Sequence, residues 1–280
     1  MAELGPELGY EVVAIGRPEL DLADAPARIA EALEQARPDI IISAAAYTAV
    51  DRAESENDLA FAVNARGAGA VADSARCLGV PLLHLSTDYV FDGSKPTSYV
   101  EEDSTRPTGV YGRSKLAGEQ LVLDTHDDVA VLRTAWVYSP FGANFVKTML
   151  RLAGGADEVR VVADQHGNPT SALDIAEALL TVAANLLASN AAELRGLFHL
   201  AGTGEASWAD LAEQVFASSA EAGGPSARVR RIGTADYPTP AKRPSNSRLS
   251  CERLRHAHGI AMPEWRSSTR RVVRRLVEQC

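Results

Sequence analysis

The sequence predicts an α/β protein built on a doubly wound parallel sheet, with a smaller lobe towards the C-terminus. Three observations carry this. Short apolar runs alternate with amphipathic stretches as far as Phe198, the pattern of strands joined by crossover helices. Runs such as Ile40-Ile41-Ile42 and Leu82-Leu83 are apolar on consecutive residues, as strands are when helices cover both faces of their sheet. Beyond Phe198 the alternation gives way to Gly202-Thr203-Gly204, Gly223-Gly224-Pro225 and Tyr237-Pro238-Thr239-Pro240, which marks a smaller, loop-rich lobe.

Taken in order, strands are expected at residues 11–15, 39–45, 80–86, 129–134, 159–162 and 197–200. Helical periodicity occupies residues 27–36, 58–78, 114–123, 144–152, 172–187 and 208–218. A dinucleotide-binding sheet opens with a strand, a glycine-rich turn and a helix whose N-terminus holds pyrophosphate. Only ten residues precede the first expected strand, so the chain is expected to begin inside that first helix. Gly67-x-Gly69 and Gly202-x-Gly204 lack the third glycine and the following context, and are read as structural.

With 280 residues, 46% hydrophobic and 23% charged, the chain has the composition of a globular protein, which excludes disordered and fibrous classes. The opening Met1-Ala2-Glu3 carries acid where a secretory signal carries base. The longest apolar stretch, residues 176–188, is short for a bilayer span and is interrupted by Glu177 and Asn185, so no membrane association is expected. Cys77, Cys251 and Cys280 are odd in number and far apart; neither a disulfide framework nor a thiolate metal site is indicated, and a cytoplasmic location is expected. Residues 228–280 hold 13 Lys and Arg against 4 Asp and Glu, leaving 15 against 33 upstream. Such a run is either a solvated face or an anion-binding lobe. The acidic remainder argues against a nucleic-acid partner.

Tyr111 and Lys115 form a Y-x-x-x-K at the start of an expected helix, and a spacing of four puts phenol and ammonium on one face. A free Tyr titrates near ~10 and works poorly as an acid at neutral pH unless a cation favours its phenolate; Lys115 supplies that charge. Thr87 ends a predicted parallel strand, where such sheets bind ligands. Its hydroxyl could polarise a substrate carbonyl, or could simply cap a turn.

The run from Ser86 to Glu119, STDYVFDG followed by RPTGVYGRSKLAGE, resembles the extended short-chain dehydrogenase/reductases, and within them the dTDP-4-dehydrorhamnose reductase family. The resemblance continues through Ala44-Ala45-Ala46-Tyr47-Thr48-Ala49-Val50-Asp51, Arg133-Thr134-Ala135-Trp136-Val137-Tyr138, Asn144-Phe145-Val146-Lys147, Asp164-Gln165-His166-Gly167-Asn168-Pro169-Thr170 and Tyr237-Pro238-Thr239-Pro240-Ala241-Lys242-Arg243-Pro244. It covers essentially the whole chain in collinear order.

What the resemblance implies is reduction of the C4 carbonyl of dTDP-4-dehydro-L-rhamnose by a nicotinamide cofactor, the last step of dTDP-L-rhamnose synthesis. It implies a Rossmann-like dinucleotide-binding domain over residues 1–140. A substrate-binding lobe occupies residues 141–280, interleaved with the last Rossmann elements. Tyr111 would be the proton donor, Lys115 would bind the nicotinamide ribose and tune Tyr111, and Thr87 would polarise the carbonyl. Asp88 and Trp136 would face the sugar, although Trp136 could equally be a core aromatic at a strand end. Ala46, Tyr47, Thr48 and Leu85 would line the cofactor groove, with Asp21 and Leu22 near adenine and Asn64 supporting Lys115 through water.

Arg243 and Arg248 are candidates for the substrate diphosphate, with surface salt bridges as the alternative. Gly16-Arg17, where an acidic residue would favour NADH, leaves room and a cation for a 2′-phosphate and favours NADPH, with NADH left open as the alternative. Some relatives dimerise, in certain cases around Mg²⁺, but no ligand set is assigned here and a monomer and a homodimer both stay open. The family's opening strand and glycine turn, about twenty residues, are not in this sequence, and either the start is set too late, which is the preferred reading, or this is a degenerate copy. Two other readings are kept: a non-catalytic regulatory subunit similar to that of methionine adenosyltransferase, and a sugar-nucleotide epimerase or dehydratase. An intact Thr87, Tyr111 and Lys115 speaks against the first. Tyr89, rather than an acidic residue, after Asp88 speaks against a dehydratase.

Overall fold

The computed structural model of the protein describes residues 1–279. Its centre is a four-stranded sheet, all pairs parallel, in the order β1 (Ile41–Ser43), β2 (Leu82–Thr87), β3 (Val129–Thr134) and β5 (Gly196–His199). One face is covered by α1 (Pro26–Ala36), α3 (Ala68–Leu78) and α4 (Val110–Thr125), whose apolar side chains Ile29, Leu33, Val71, Ala75 and Val122 pack on Leu82, Val129 and Val131. The other face is covered by α6 (Ala172–Ala188) and α8 (Glu252–His258), with Leu179, Val182, Leu186 and Leu254 on Leu83, Leu132 and Phe198. Burial on both faces is why the strands are apolar at consecutive positions. Strand β3 is buried at all six residues.

The second lobe pairs β4 (Glu158–Val162) with β6 (Arg228–Ile232) in parallel, under α5 (Phe145–Ala153), α7 (Trp208–Glu221) and α9 (Trp265–Glu278). Its core gathers Val146, Met149, Val159, Leu211, Val215, Phe216, Trp265 and Val272. The chain crosses between lobes more than once, because α6 and β5 return to the central sheet after α5 and β4 have been laid down.

Three expectations are corrected. Residues 11–15, expected as the first strand, belong to no ladder among the described residues, and Val13 is 57% exposed. Their apolar, β-branched composition signals extended backbone, whereas a strand needs a hydrogen-bonding neighbour about 4.8 Å away. The expected helix over residues 58–78 is three segments: α2 (Asn57–Phe61), a π-helical turn (Ala62–Gly67) and α3. Helix α4 starts at Val110, four residues before the expected start, because the Glu54 carboxylate accepts from the Val110 N–H at 2.8 Å and satisfies an orphan donor of its first turn.

The lopsided charge also has its explanation. Eleven of the 13 basic residues after position 227 form ion pairs, eight of them with acids from earlier in the chain, such as Arg243 with Asp51, Arg253 with Glu102 and Arg271 with Asp174. The basic run is largely the counter-charge of the acidic one. Among the described residues no helix is long and apolar enough to cross a membrane. No group of three or more His, Cys, Asp or Glu among them is placed to hold a metal ion.

Candidate active site

The site lies at the carboxyl ends of β2 and β3, where α4 crosses the sheet. Helix α4 buries Tyr111, Lys115, Glu119 and Val122, spaced by three or four residues and therefore on one face. Two glycines let it come close. A Cβ on Gly112 would stand 2.2 Å from the Tyr89 carbonyl oxygen, and one on Gly118 would stand 2.0 Å from the Asn64 carbonyl oxygen. Glu119 then forms a bidentate ion pair with Arg133 of β3, at 2.9 and 2.6 Å, with both side chains almost fully buried. This pair ties the helix to the sheet one turn beyond Lys115.

Thr87 is both a turn residue and a site residue. Its hydroxyl accepts from the Tyr89 N–H at 3.2 Å, capping the short turn Asp88–Val90, and donates to Asp88 Oδ1 at 3.1 Å. Burial foremost, with Asp88 and Tyr89, pushes the Tyr111 phenol well above its usual range, against the opposing Thr87 hydroxyl. Tyr111 is therefore a fully protonated acid in the resting protein. Burial pushes the Asp88 carboxyl up to about 6 against the opposing hydroxyls of Ser247 and Thr87. The ring of Tyr89 meets that of Tyr111 edge-on, with centroids 5.4 Å apart.

The Lys115 ammonium donates to the Leu85 carbonyl at 2.7 Å and lies 3.5 Å from His84 Nε2. Burial lowers it to about 8, partly opposed by Glu119. Asn64 sits in the π-helical turn, buried. It accepts from the Tyr47 N–H at 2.8 Å, returns a bond to the Tyr47 carbonyl at 3.0 Å and donates to Ser114 Oγ at 3.0 Å. The amide thus ties the segment after β1 to helix α4 directly. Ala46 and Tyr47 are half-buried and Thr48 exposed on that segment, and Leu85 is half-buried on β2. The backbone of Leu22 rests on Gly67, whose Cβ would be 2.3 Å from the Leu22 oxygen. Asp21 caps the Ala23 N–H at 2.9 Å, and the exposed Arg17 lies 3.8 Å from Asp21.

Trp136 comes two residues after β3, with φ +48°, and stacks on Trp208. Because Thr87 and Thr134 are register partners, Trp136 leaves the sheet at the same carboxyl edge as Thr87. Arg243 bonds Asp51 at 2.7 Å, its charge opposes the burial that raises the Tyr89 phenol, and its Nη1 is buried with no partner. Arg248 is held by Glu205, Asn246 and the Pro96 carbonyl, the salt-bridge alternative of its two readings. Residues the sequence did not single out are His84, Ser43, Ser114, Gly112 and Gly118. The last three sit inside the Tyr111–Glu119 run, where two glycines in a helix were the available signal.

The residues present fit a nicotinamide cofactor. Ser86 Oγ and Thr134 Oγ1 are buried without hydrogen-bond partners at the carboxyl ends of β2 and β3, where a parallel sheet receives its ligands. The Lys115 ammonium has three donors, and two acceptors are in place.

A parallel sheet with a buried Thr at one strand end, faced by a Tyr and Lys four apart on a crossing helix, defines a short-chain dehydrogenase/reductase. The family model described as "RmlD substrate binding domain" matches residues 1–278. The chain is 56% identical over 263 residues to a dTDP-4-dehydrorhamnose reductase of Sinorhizobium fredii, covering 94% of this chain and 88% of that protein. It is 42% identical over 253 residues to one of Escherichia coli, covering 90% and 84%. The crystal structure of the Bacillus anthracis dTDP-4-dehydrorhamnose reductase in complex with NADP superposes with a TM-score of 0.89 at 36% identity, covering 97% of this chain and 92% of that one. The chain belongs to the dTDP-4-dehydrorhamnose reductase family.

Proposed function

We propose that this chain uses NADPH to reduce the C4 carbonyl of dTDP-4-dehydro-L-rhamnose to the alcohol of dTDP-L-rhamnose, as a cytoplasmic enzyme. The observation that carries the reading is the burial of Thr87 and Tyr111 together at the carboxyl end of β2, with Lys115 one turn along the same helix as Tyr111. The relatives' names and the NADP in the Bacillus anthracis structure supply the substrate and cofactor.

The cofactor, when bound, supplies hydride to the carbonyl carbon. Thr87 turns its hydroxyl from Asp88 Oδ1 to the carbonyl oxygen and stabilises the charge that builds there. Tyr111 gives its proton to that oxygen, so one hydride and one proton complete the alcohol. Lys115 then offsets the phenolate left behind. Asp88, ionised at neutral pH, accepts from a sugar hydroxyl. Trp136 lines the sugar, Ala46, Tyr47, Thr48 and Leu85 wall the cofactor groove, and Arg17 meets its 2′-phosphate.

The test is NADPH consumption with the 4-dehydro sugar nucleotide. Tyr111→Phe should lose nearly all turnover yet still bind NADPH, and Thr87→Val should lose about 10- to 1000-fold in kcat. Undiminished turnover by Tyr111→Phe would overturn the mechanism. Tight NADPH binding with no turnover of the sugar by the unsubstituted protein would favour a regulatory role instead.

A further inference from the structure

Strand β2 is apolar on both faces, and His84 is the residue packing does not require. Leu82, Leu83 and Leu85 surround it in sequence, and its imidazole is 1% exposed. A buried polar ring in such a strand costs free energy unless its nitrogens are used. Both are used here. The β1–β2 register sets Ser43 directly opposite His84, and Ser43 Oγ lies 3.3 Å from His84 Nδ1. On the other side Lys115 Nζ reaches over from α4 to 3.5 Å from Nε2.

The chemistry of the ammonium fixes the direction of these contacts. A Lys ammonium has three donors and no acceptor, so each polar neighbour must accept from it. The Leu85 carbonyl takes one N–H at 2.7 Å. His84 Nε2 takes the second only by presenting a lone pair, which puts the imidazole proton on Nδ1, where Ser43 Oγ is placed to receive it. One donor is then left, and its direction is set by the other two.

We propose that His84 is a positioning residue for Lys115: its neutral ring, held by Ser43 in the Nδ1–H tautomer, fixes the ammonium so that its remaining N–H meets the bound nicotinamide ribose. The proposal rests on the reductase reading given above. Burial supports it by holding the His84 imidazolium well out of reach, foremost by desolvation and then by the Lys115 charge, so the ring stays an acceptor. Glu119, the charged group on the helix turn beyond Lys115, is itself locked to Arg133 of β3 and does not compete for the ammonium's direction.

Nitrogen-15 NMR of the full chain without cofactor tests the contact. His84 should show a protonated Nδ1 and a bare Nε2; Ser43→Ala should move the first resonance and Lys115→Met the second. A proton on Nε2 overturns the proposal, because such a nitrogen cannot accept from the ammonium. NADPH titration tests the consequence. His84→Leu should raise the NADPH dissociation constant about 10-fold, the loss of one hydrogen bond to a charged group. His84→Gln, whose carbonyl can accept from Lys115, should recover most of it. Equal loss in both variants, or loss in neither, overturns the proposal. Failure of the unsubstituted protein to bind NADPH, both with this sequence and when extended upstream through an opening strand and glycine turn, overturns this inference and the reductase reading together. NADPH binding by a chain whose His84 carries its proton on Nε2 overturns this inference alone.

Discussion

The indole of Trp136 lies flat on that of Trp208, with ring centroids 3.7 Å apart and planes within 8°. Trp136 pays for its place with a left-handed backbone, costly for a bulky side chain. Three contacts hold it there. Trp208 backs the ring, its peptide oxygen accepts from the Thr170 N–H at 3.2 Å, and Gly167 leaves the space a Cβ would fill, 2.5 Å from Trp136 Cε2. Trp208 is in turn held by its Nε1–H bond to Gln165 at 3.2 Å. Replacing Trp208 by Leu should cost about 1 kcal/mol beyond the lost buried area. It should also abolish the coupled-indole band in circular dichroism, which Trp265→Phe should leave in place. A band that survives in Trp208→Leu would refute the stack.

The buried pair of Glu119 and Arg133 predicts an asymmetry between single and double replacement. Glu119→Leu alone strands a guanidinium in the core and should destabilise by about 3–5 kcal/mol. Adding Arg133→Met should recover most of that, because two apolar side chains then fill the space. Urea unfolding of the three proteins decides it, and a double variant no more stable than the single one contradicts the argument.

Asp88 predicts an unusual acid response. Its folded-state value of about 6 lies above the ordinary 3.8, so between these values the folded protein binds a proton that the unfolded chain does not. The contribution is therefore fully present below about pH 4 and is lost as pH rises through about 6, on the order of 3 kcal/mol for the site. Asp88→Asn should be more stable than the parent at pH 7, and the difference should shrink as pH falls from about 6 to 4. A constant difference across that window would refute the assignment.

Gly118 should resist the usual gain from helix propensity. Ala is favoured over Gly inside a helix by about 1 kcal/mol, yet a Cβ here meets the Asn64 carbonyl. Gly118→Ala should therefore lower stability, by about 1–3 kcal/mol as in overpacked cores. Gly155→Ala, with open space around it, serves as the control. Thermal unfolding measures both.

Much of the molecule is legible in its sequence wherever the signal is local. Strand β3 has the expected bounds because six consecutive residues are buried in the layer they imply, and Tyr111 and Lys115 meet because four residues make about one helical turn. The illegible part depends on pairing across the chain. Residues 11–15 have strand composition but no ladder partner among the described residues. His84 has no meaning until the register sets Ser43 beside it and α4 brings Lys115 over it. The arginines after position 227 read as either a solvated face or an anion-binding run until their acidic partners, up to 272 residues away in sequence, are in view.

The π-helical turn at Ala62–Gly67 closes its hydrogen bonds over one residue more than an α-helical turn does. Each added residue rotates the downstream helix by about 100°, and a helix swallows the surplus only by widening one turn. Here the widened turn carries the one amide that grips both Tyr47 and Ser114. Deleting a single residue from it would give a tidier helix and turn that amide away from one of its two partners. The length of this stretch, down to a single codon, is therefore under constraint from the site, and length changes in this helix should be rarer than its regular stretches alone would suggest.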